Sequence, residues 1–412
     1  DVYKRQLRIS LYSGEELLDC VSENFGYRTT EFSPDRGFLL NGREVKMHGV
    51  CMHHDLGALG AAMNTAALTR QLRIMKEMGV NAIRTSHNMP ARQLVQLCDE
   101  MGLLVDSEAF DMWEKPKTEM DNHRFFVEHA ERDVRSWIER DRNHPCVIMW
   151  SIGNEINDTI DPHGLDITRR LYDYVKKYDP KGNAAATIGS NYMGDENAQK
   201  CSDVVKLAGY NYSEYLYDEH HAKYPDWFIY GSETASAVRS RGIYRFPADT
   251  PSLTGVDYQC SSLDNSVVGW GSSAMKSWRL DRDCGFCGGQ FIWTGFDYIG
   301  EPTPYNTKNS YFGIVDTAGF PKDIYYFYQS VWLAPEQKKV LHIVPSFWDF
   351  TPGQAVDVIV YSNAHHVDLF LNGEHIDSHV MNLDTDAEMR AHFTVPFQPG
   401  VIRAVGAYED LS

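Results

Sequence analysis

Residues 125–155 read FFVEHAERDVRSWIERDRNHPCVIMWSIGNE. The first half sets Phe126, Ala130, Val134 and Ile138 on one stripe at four-residue steps, the apolar face of an amphipathic helix. The second half becomes VIMWSIG (147–153), apolar on both faces, as in a strand of a parallel sheet that is covered on both sides. A helix running straight into such a strand is half of a β/α repeat, and the strand ends abruptly in a polar amide and a carboxylate, Asn154 and Glu155.

The same unit recurs upstream. TAALTRQLRIMKEMG places Leu68, Leu72 and Met75 on one face, with Asn64 as cap and Gly79 as stop, and ARQLVQLCDEMG repeats the design with Leu94, Leu97, Cys98, Met101 and Gly102. Strands are predicted at 46–52, 82–86, 103–108, 147–153, 184–189, 204–210, 228–233 and 288–294. Eight mostly apolar strands with helices between nearly all of them predict an α/β fold, a (β/α)8 TIM barrel. An open doubly wound sheet calls for a Gly-rich phosphate turn after its first strand, and HGVCMHHDLG has none. The expected organisation is a barrel over 33–336, preceded in 1–32 by the last strands of a β-sandwich and followed in 337–412 by the start of another. VDVIVYSNAHHVDLFLNGEHIDS, with its Asn-Gly turn, opens that second sandwich. The opening DVYKRQ resembles a translated linker scar, and the chain is expected to be a fragment.

With 57 acidic against 39 basic residues the formal charge is −18, which repels nucleic acid and anionic membrane surfaces. No run approaches the ~18 apolar residues of a membrane span. The eight cysteines show no framework spacing and sit mostly in apolar runs, so free buried thiols and a reducing, cytoplasmic setting are expected, with a leader upstream of the given start left open. Cys284 and Cys287 in CGFC could pair for zinc or redox chemistry, but a structural zinc needs four ligands and no second pair is present, so the spacing reads as coincidence.

In a (β/α)8 barrel the C-terminal strand ends build the site. Every predicted strand but the fifth ends in polar residues: His53, His54 and Asp55; Arg84 and His87; Glu108 and Asp111; Asn154 and Glu155; Asn211 and Tyr212; Glu233; Trp293 and Asp297. Glu155 and Glu233 each terminate an apolar strand directly, on the fourth and seventh strands, across the barrel mouth. A single Glu there is ordinarily a solvated strand end; two on opposed strands suit glycosidic cleavage, in which one carboxyl protonates the leaving oxygen and the other attacks or stabilises the oxocarbenium-like centre. The His and Asp residues of this rim could bind a metal, but sugar hydroxyls account for them without an ion, and no spaced His pair such as HExxH occurs. Trp293 reads either as a core aromatic or as a platform under a sugar ring.

NFGYR, FLLNGREVKMHGVCMHHDLGALGAA, NAIRTSHNMP, RNHPCVIMWSIGNE, GYNYSEY, YGSETAS, FIWTGFDYIGEPTPY and SYFGIVDTAGFPKD together resemble glycoside hydrolase family two, the β-galactosidase and β-glucuronidase group, from about residue 20 to the end. The resemblance implies a retaining enzyme with Glu155 as acid/base and Glu233 as nucleophile. It further implies Asn154 on the sugar 2-hydroxyl, Arg84 and Tyr212 orienting the nucleophile, His53 and His87 lining the pocket, and Trp293 as its wall. Departures are Ser107 with Glu108 where an acidic pair is common, and Cys51 where many members have Asn. EAFDMWEK lacks the His with which some β-galactosidases hold magnesium, so neither metal nor cofactor is expected. Members begin with a jelly roll and an immunoglobulin-like sandwich; an N-terminally truncated chain would keep only the last strands of the latter, with a less complete pocket.

The expected activity is exo-cleavage of terminal β-D-galactose from a carbohydrate substrate, by a chain that could form a homo-oligomer. The alternative is a β-glucuronidase, since Asn306, Thr307 and Lys308 spell the Asn-x-Lys with which that branch reads the substrate carboxylate. The flanking TKNSYFGIVDTAGFPKD is similar to galactosidases carrying the same Lys, which makes the match coincidental. A different class, a glycan-binding module without turnover, would show affinity and no hydrolysis.

Overall fold

The structure is a computed structural model that describes residues 5–346, 348–384 and 389–408. The described residues divide into two compact units, one within residues 5–54, 81–233 and 283–291, the other within residues 55–80, 234–282 and 292–408.

The first unit carries the site. Its centre is a closed barrel of eight strands, in barrel order Met47–Met52, Ala82–Thr85, Leu104–Glu108, Val147–Asn154, Ala185–Ser190, Leu207–Asn211, Phe228–Ala235 and Gly289–Trp293. Parallel pairing is set by registers such as Cys51 beside Arg84, Arg84 beside Asp106 and Asn211 beside Glu233. The interior is packed with Phe228, Tyr230 and Phe291, while Trp150 and Tyr210 face the surrounding helices, all of them fully buried. Gly49 is obligatory beside this filling, because a Cβ there would lie 2.3 Å from the Phe291 ring. Helices α2 (Arg92–Met101), α3 (His123–Asp141), α4 (Gly164–Tyr178), α5 (Glu196–Val205) and α6 (Tyr217–Lys223) alternate with the strands. Trp137 of α3 meets Trp150 edge-on at 4.9 Å and donates to Ser107 Oγ at 2.9 Å, fixing helix to sheet by packing and by a satisfied indole N–H.

Ahead of the barrel, Arg5–Ser13 and Glu16–Phe25 form an antiparallel hairpin. The expected boundary at 32/33 cuts a second small sheet, because Thr30–Ser33 pairs with Gly37–Leu40, which turns through Asn41-Gly42, both at positive φ, into Arg43–Glu44. FLLNGREV is therefore a hairpin, and the β/α alternation begins one element later. The run VVKLAGY, predicted as one strand, also divides: Val204 and Val205 finish α5, Lys206 turns the chain at φ 63°, and the strand starts at Leu207. An apolar helix end abutting an apolar strand shows no change of pattern.

The second unit contains α1 (Thr65–Met78), α7 (Ala274–Asp283) and α8 (Asp323–Trp332). The Asn64 side chain accepts from Ala67 N and Gly79 closes α1 at φ 106°, as its sequence predicted. Two three-stranded antiparallel sheets follow, Leu341–Val344 with Ala355–Ser362 and Ala391–Pro396, and Glu374–Val380 with His366–Leu371 and Ile402–Ala407. Val356, Val358, Val360, Val367, Leu369 and Phe393 share one core. Among the described residues no helix is long and apolar enough to cross a membrane.

The expectation of free thiols throughout is corrected at CGFC, where Cys284 and Cys287 form a disulfide. Their Cα atoms lie 5.5 Å apart, within bridging distance, and a three-residue step in a turn is enough to produce that approach. The other six cysteines are free.

Candidate active site

Arg84 organises the C-terminal rim. It extends from the second barrel strand and is 0% exposed. One terminal nitrogen donates to Glu233 Oε1 at 2.7 Å; the other donates to Glu108 Oε2 at 2.5 Å and Asn154 Oδ1 at 2.9 Å. The fifth strand ends in Ser190 and contributes an absence just before it: a Cβ on Gly189 would stand 2.8 Å from the Arg84 guanidinium. Gly189 is the space the cation occupies.

Glu233 is nearly buried, and its other oxygen accepts from the Tyr212 hydroxyl at 2.7 Å. Tyr212 is placed by a left-handed backbone, φ 56°, and its N–H donates to the Glu233 carbonyl at 2.9 Å, so one residue holds the backbone and side chain of another. Glu155 also has positive φ, 48°, and its N–H donates to Gly189 O at 2.8 Å. Two non-glycine residues in this region cost about 1–3 kcal/mol each, and such strain collects where side-chain direction matters. Glu155 Oε1 accepts from Asn211 Nδ2 at 3.0 Å, and the same amide donates to Asn154 Oδ1 at 3.0 Å. A continuous chain of contacts therefore runs from Glu233 through Arg84, Asn154 and Asn211 to Glu155.

Burial raises the pKa of both carboxyls, but their donors differ. Glu233 faces a guanidinium and a hydroxyl, groups that stabilise an anion; the side-chain donor at Glu155 is a neutral amide. As a carboxylate, Glu233 is thus better stabilised than Glu155. Asp106 lies 3.8 Å from Arg84 and is pushed up to about 7 by burial, which relieves the excess of carboxylates around one cation. Glu108 is held by Arg84, by Ser151 Oγ at 2.7 Å and by His87 Nδ1 at 2.7 Å. Burial lowers His87 to about 3, so its imidazole is neutral and the 3.6 Å approach of Nε2 to Glu233 is not an ion pair. His53 meets His87 edge-on at 5.6 Å and contacts Ser86 O through Nδ1 at 3.0 Å.

The first unit thus brings together Glu155, Glu233, Asn154, Arg84, Tyr212, His87 and His53. Trp293 closes the eighth strand, 7% exposed, with its ring edge-on to Tyr298 at 5.9 Å and beside Phe312. Asp297, on the predicted rim, is buried against Lys322 Nζ at 2.7 Å and accepts from Gly313 N, which accounts for it structurally. Residues that sequence reasoning passed over are Asp106, Ser151 and Lys117. Asp106 had a signal, a carboxylate inside an otherwise apolar strand; Lys117, in a loop rich in charge, had none. Among the described residues no group of three or more His, Cys, Asp or Glu side chains is arranged to hold a metal ion.

Residues 34–232 match the family described as glycosyl hydrolases family 2, TIM barrel domain, and residues 353–410 match a domain of unknown function, DUF4982. The chain is 42% identical over 446 residues to "Beta-galactosidase BoGH2A" of Bacteroides ovatus, covering 98% of the chain and 51% of that protein. It is 33% identical to a "Putative beta-glucuronidase" of Formosa agariphila, covering 98% and 40%. A crystal structure of a β-glycosidase from Bacteroides vulgatus superposes with a TM-score of 0.85 at 33% identity, covering 98% of this chain and 53% of that one. The chain spans about half the length of the curated relatives it matches. Through its TIM barrel domain, the chain belongs to glycosyl hydrolases family 2.

Proposed function

We propose that the protein is a retaining, exo-acting β-glycosidase that removes terminal β-D-galactose by double displacement. Glu155 gives its proton to the glycosidic oxygen while the Glu233 carboxylate attacks the anomeric carbon; the C–O bond to the leaving group breaks and a glycosyl ester forms on Glu233. Glu155, now an anion, takes a proton from water, which attacks the same carbon, and Glu233 leaves as carboxylate. The cycle needs the acid to hold its proton while Glu233 is charged and to lose it once that charge is consumed by ester formation, which follows from their electrostatic coupling. Asn154 is assigned to the sugar 2-hydroxyl, His53 and His87 to the pocket lining and Trp293 to its wall.

The observation that carries the reading is the unequal support of the two carboxyls, Glu233 by Arg84 and Tyr212, Glu155 by the Asn211 amide. The name of the Bacteroides ovatus relative supports galactose as the sugar. A β-glucuronidase is the second reading, favoured by the Formosa relative's name and by Lys308, whose exposed ammonium could meet a substrate carboxylate. Turnover of aryl β-galactoside and aryl β-glucuronide by wild type, Glu155→Gln, Glu233→Gln and Lys308→Ala tests both. Galactoside cleavage lost in both Glu variants and kept in Lys308→Ala supports the first; glucuronide cleavage abolished by Lys308→Ala alone supports the second. Full activity in either Glu variant contradicts the assignment.

A further inference from the structure

The loop after the third strand is tied to the end of the fourth at several points. Trp113 Nε1 donates to Ile152 O at 2.8 Å, Asn154 N to Phe110 O at 2.9 Å, and Asn157 Nδ2 to Pro116 O at 3.0 Å. Lys117 lies on this loop, its own N–H held by Asp121 Oδ2 at 2.8 Å. Its ammonium bonds Asp111 Oδ1 at 2.6 Å and the carbonyl of Asn154 at 3.1 Å. The same Asp111 oxygen accepts from Asn154 Nδ2 at 3.0 Å.

These bonds have two consequences. The Asn154 side-chain amide has one possible orientation: its nitrogen faces Asp111, and its oxygen faces Arg84 and Asn211. The carbonyl that Lys117 grips belongs to the peptide whose nitrogen is that of Glu155, and that nitrogen is bonded to Gly189 O. The peptide plane is clamped at both ends, and its orientation is what fixes the positive φ of Glu155.

We propose that the Lys117–Asp111 ion pair is a positioning and charge-tuning pair for Glu155, in which Asp111 orients the Asn154 amide and Lys117 holds the Asn154–Glu155 peptide. Its two members act on the Glu155 proton in opposite senses, the cation favouring the carboxylate and the anion the acid. The other charged groups facing Glu155 are Arg84 from the second strand and Glu233 from the seventh. The pair is only about a quarter to a third exposed, so solvent does not cancel its field. The inference rests on Glu155 as acid/base.

The test is a carbon NMR titration of the full chain with carboxyl-labelled glutamate, Glu155→Gln identifying the resonance. Lys117→Met is expected to move the Glu155 midpoint to higher pH, Asp111→Asn to lower pH, and Lys117→Arg to return it toward wild type. Loss of packing alone would move the first two alike. Two shifts of the same sign, or none, in variants with wild-type circular dichroism overturn the proposal; should Lys117→Met not fold, Asp111→Asn and Lys117→Gln decide it by the same opposition. Aryl glycoside kinetics separate the two claims: full activity in Glu155→Gln overturns the acid/base reading and the inference with it. Activity lost there, with titrations that do not oppose, overturns the inference alone.

Discussion

Arg84 and Glu108 are 2.5 Å apart with neither side chain exposed, and the same guanidinium holds Glu233 at 2.7 Å. The cation is shared between a carboxylate with a proposed chemical role and one that anchors His87. Removing it leaves buried carboxyls uncompensated. Arg84→Met is expected to cost about 3–5 kcal/mol of stability and to abolish turnover, read by urea unfolding and aryl glycoside kinetics.

Tyr212→Phe removes one donor and keeps the ring. The hydroxyl stabilises ionised Glu233, so its loss raises the pKa of that carboxyl, and as the proposed nucleophile Glu233 must be ionised to attack. The acid limb of the kcat/KM profile is expected to move to higher pH, with kcat lower by roughly tenfold for one lost hydrogen bond of about 1.5 kcal/mol. An unchanged acid limb would show that the hydroxyl does not act on the nucleophile.

Gly189→Ala places a methyl 2.8 Å from the Arg84 guanidinium and 3.2 Å from Ser232 Oγ. Overpacking of about 1–3 kcal/mol is expected, with a fall in kcat because the cation that holds Glu233 is displaced. Wild-type kinetics in a folded Gly189→Ala protein would show that the cation has room to spare.

Much of this was legible in the sequence. The barrel followed from helix stripes running into strands apolar on both faces, and the two carboxyls from their position at the C-terminal ends of such strands. The boundaries at 32/33 and at 204–206 were not legible, because a hairpin before the first barrel strand and an apolar helix end offer no change in composition. The contacts of Lys117 and Asp106 depend on which strands become neighbours and on a loop folding back, which no local pattern encodes. The disulfide was equally hidden, since the same CGFC spacing serves free thiols.

Asp106 gives a stability prediction. Its folded pKa, about 7, is raised above the ordinary carboxylate value by burial, so the native state keeps a proton that the unfolded chain releases. That contribution is fully present below about pH 4 and is lost as pH rises to about 7. Asp106→Asn is expected to flatten the decline between about pH 4 and pH 7 in urea unfolding; an unaltered slope would assign the proton elsewhere.

The most direct test of the central claim is covalent trapping. A 2-deoxy-2-fluoro β-galactoside with a good leaving group slows both steps, and if the good leaving group keeps formation faster than hydrolysis, the glycosyl ester accumulates for mass spectrometry of the intact chain and its peptides. One added fluorosugar is expected on the peptide containing Glu233 and none in Glu233→Gln; a label on another residue, or product released with inverted configuration, would contradict the double displacement through Glu233.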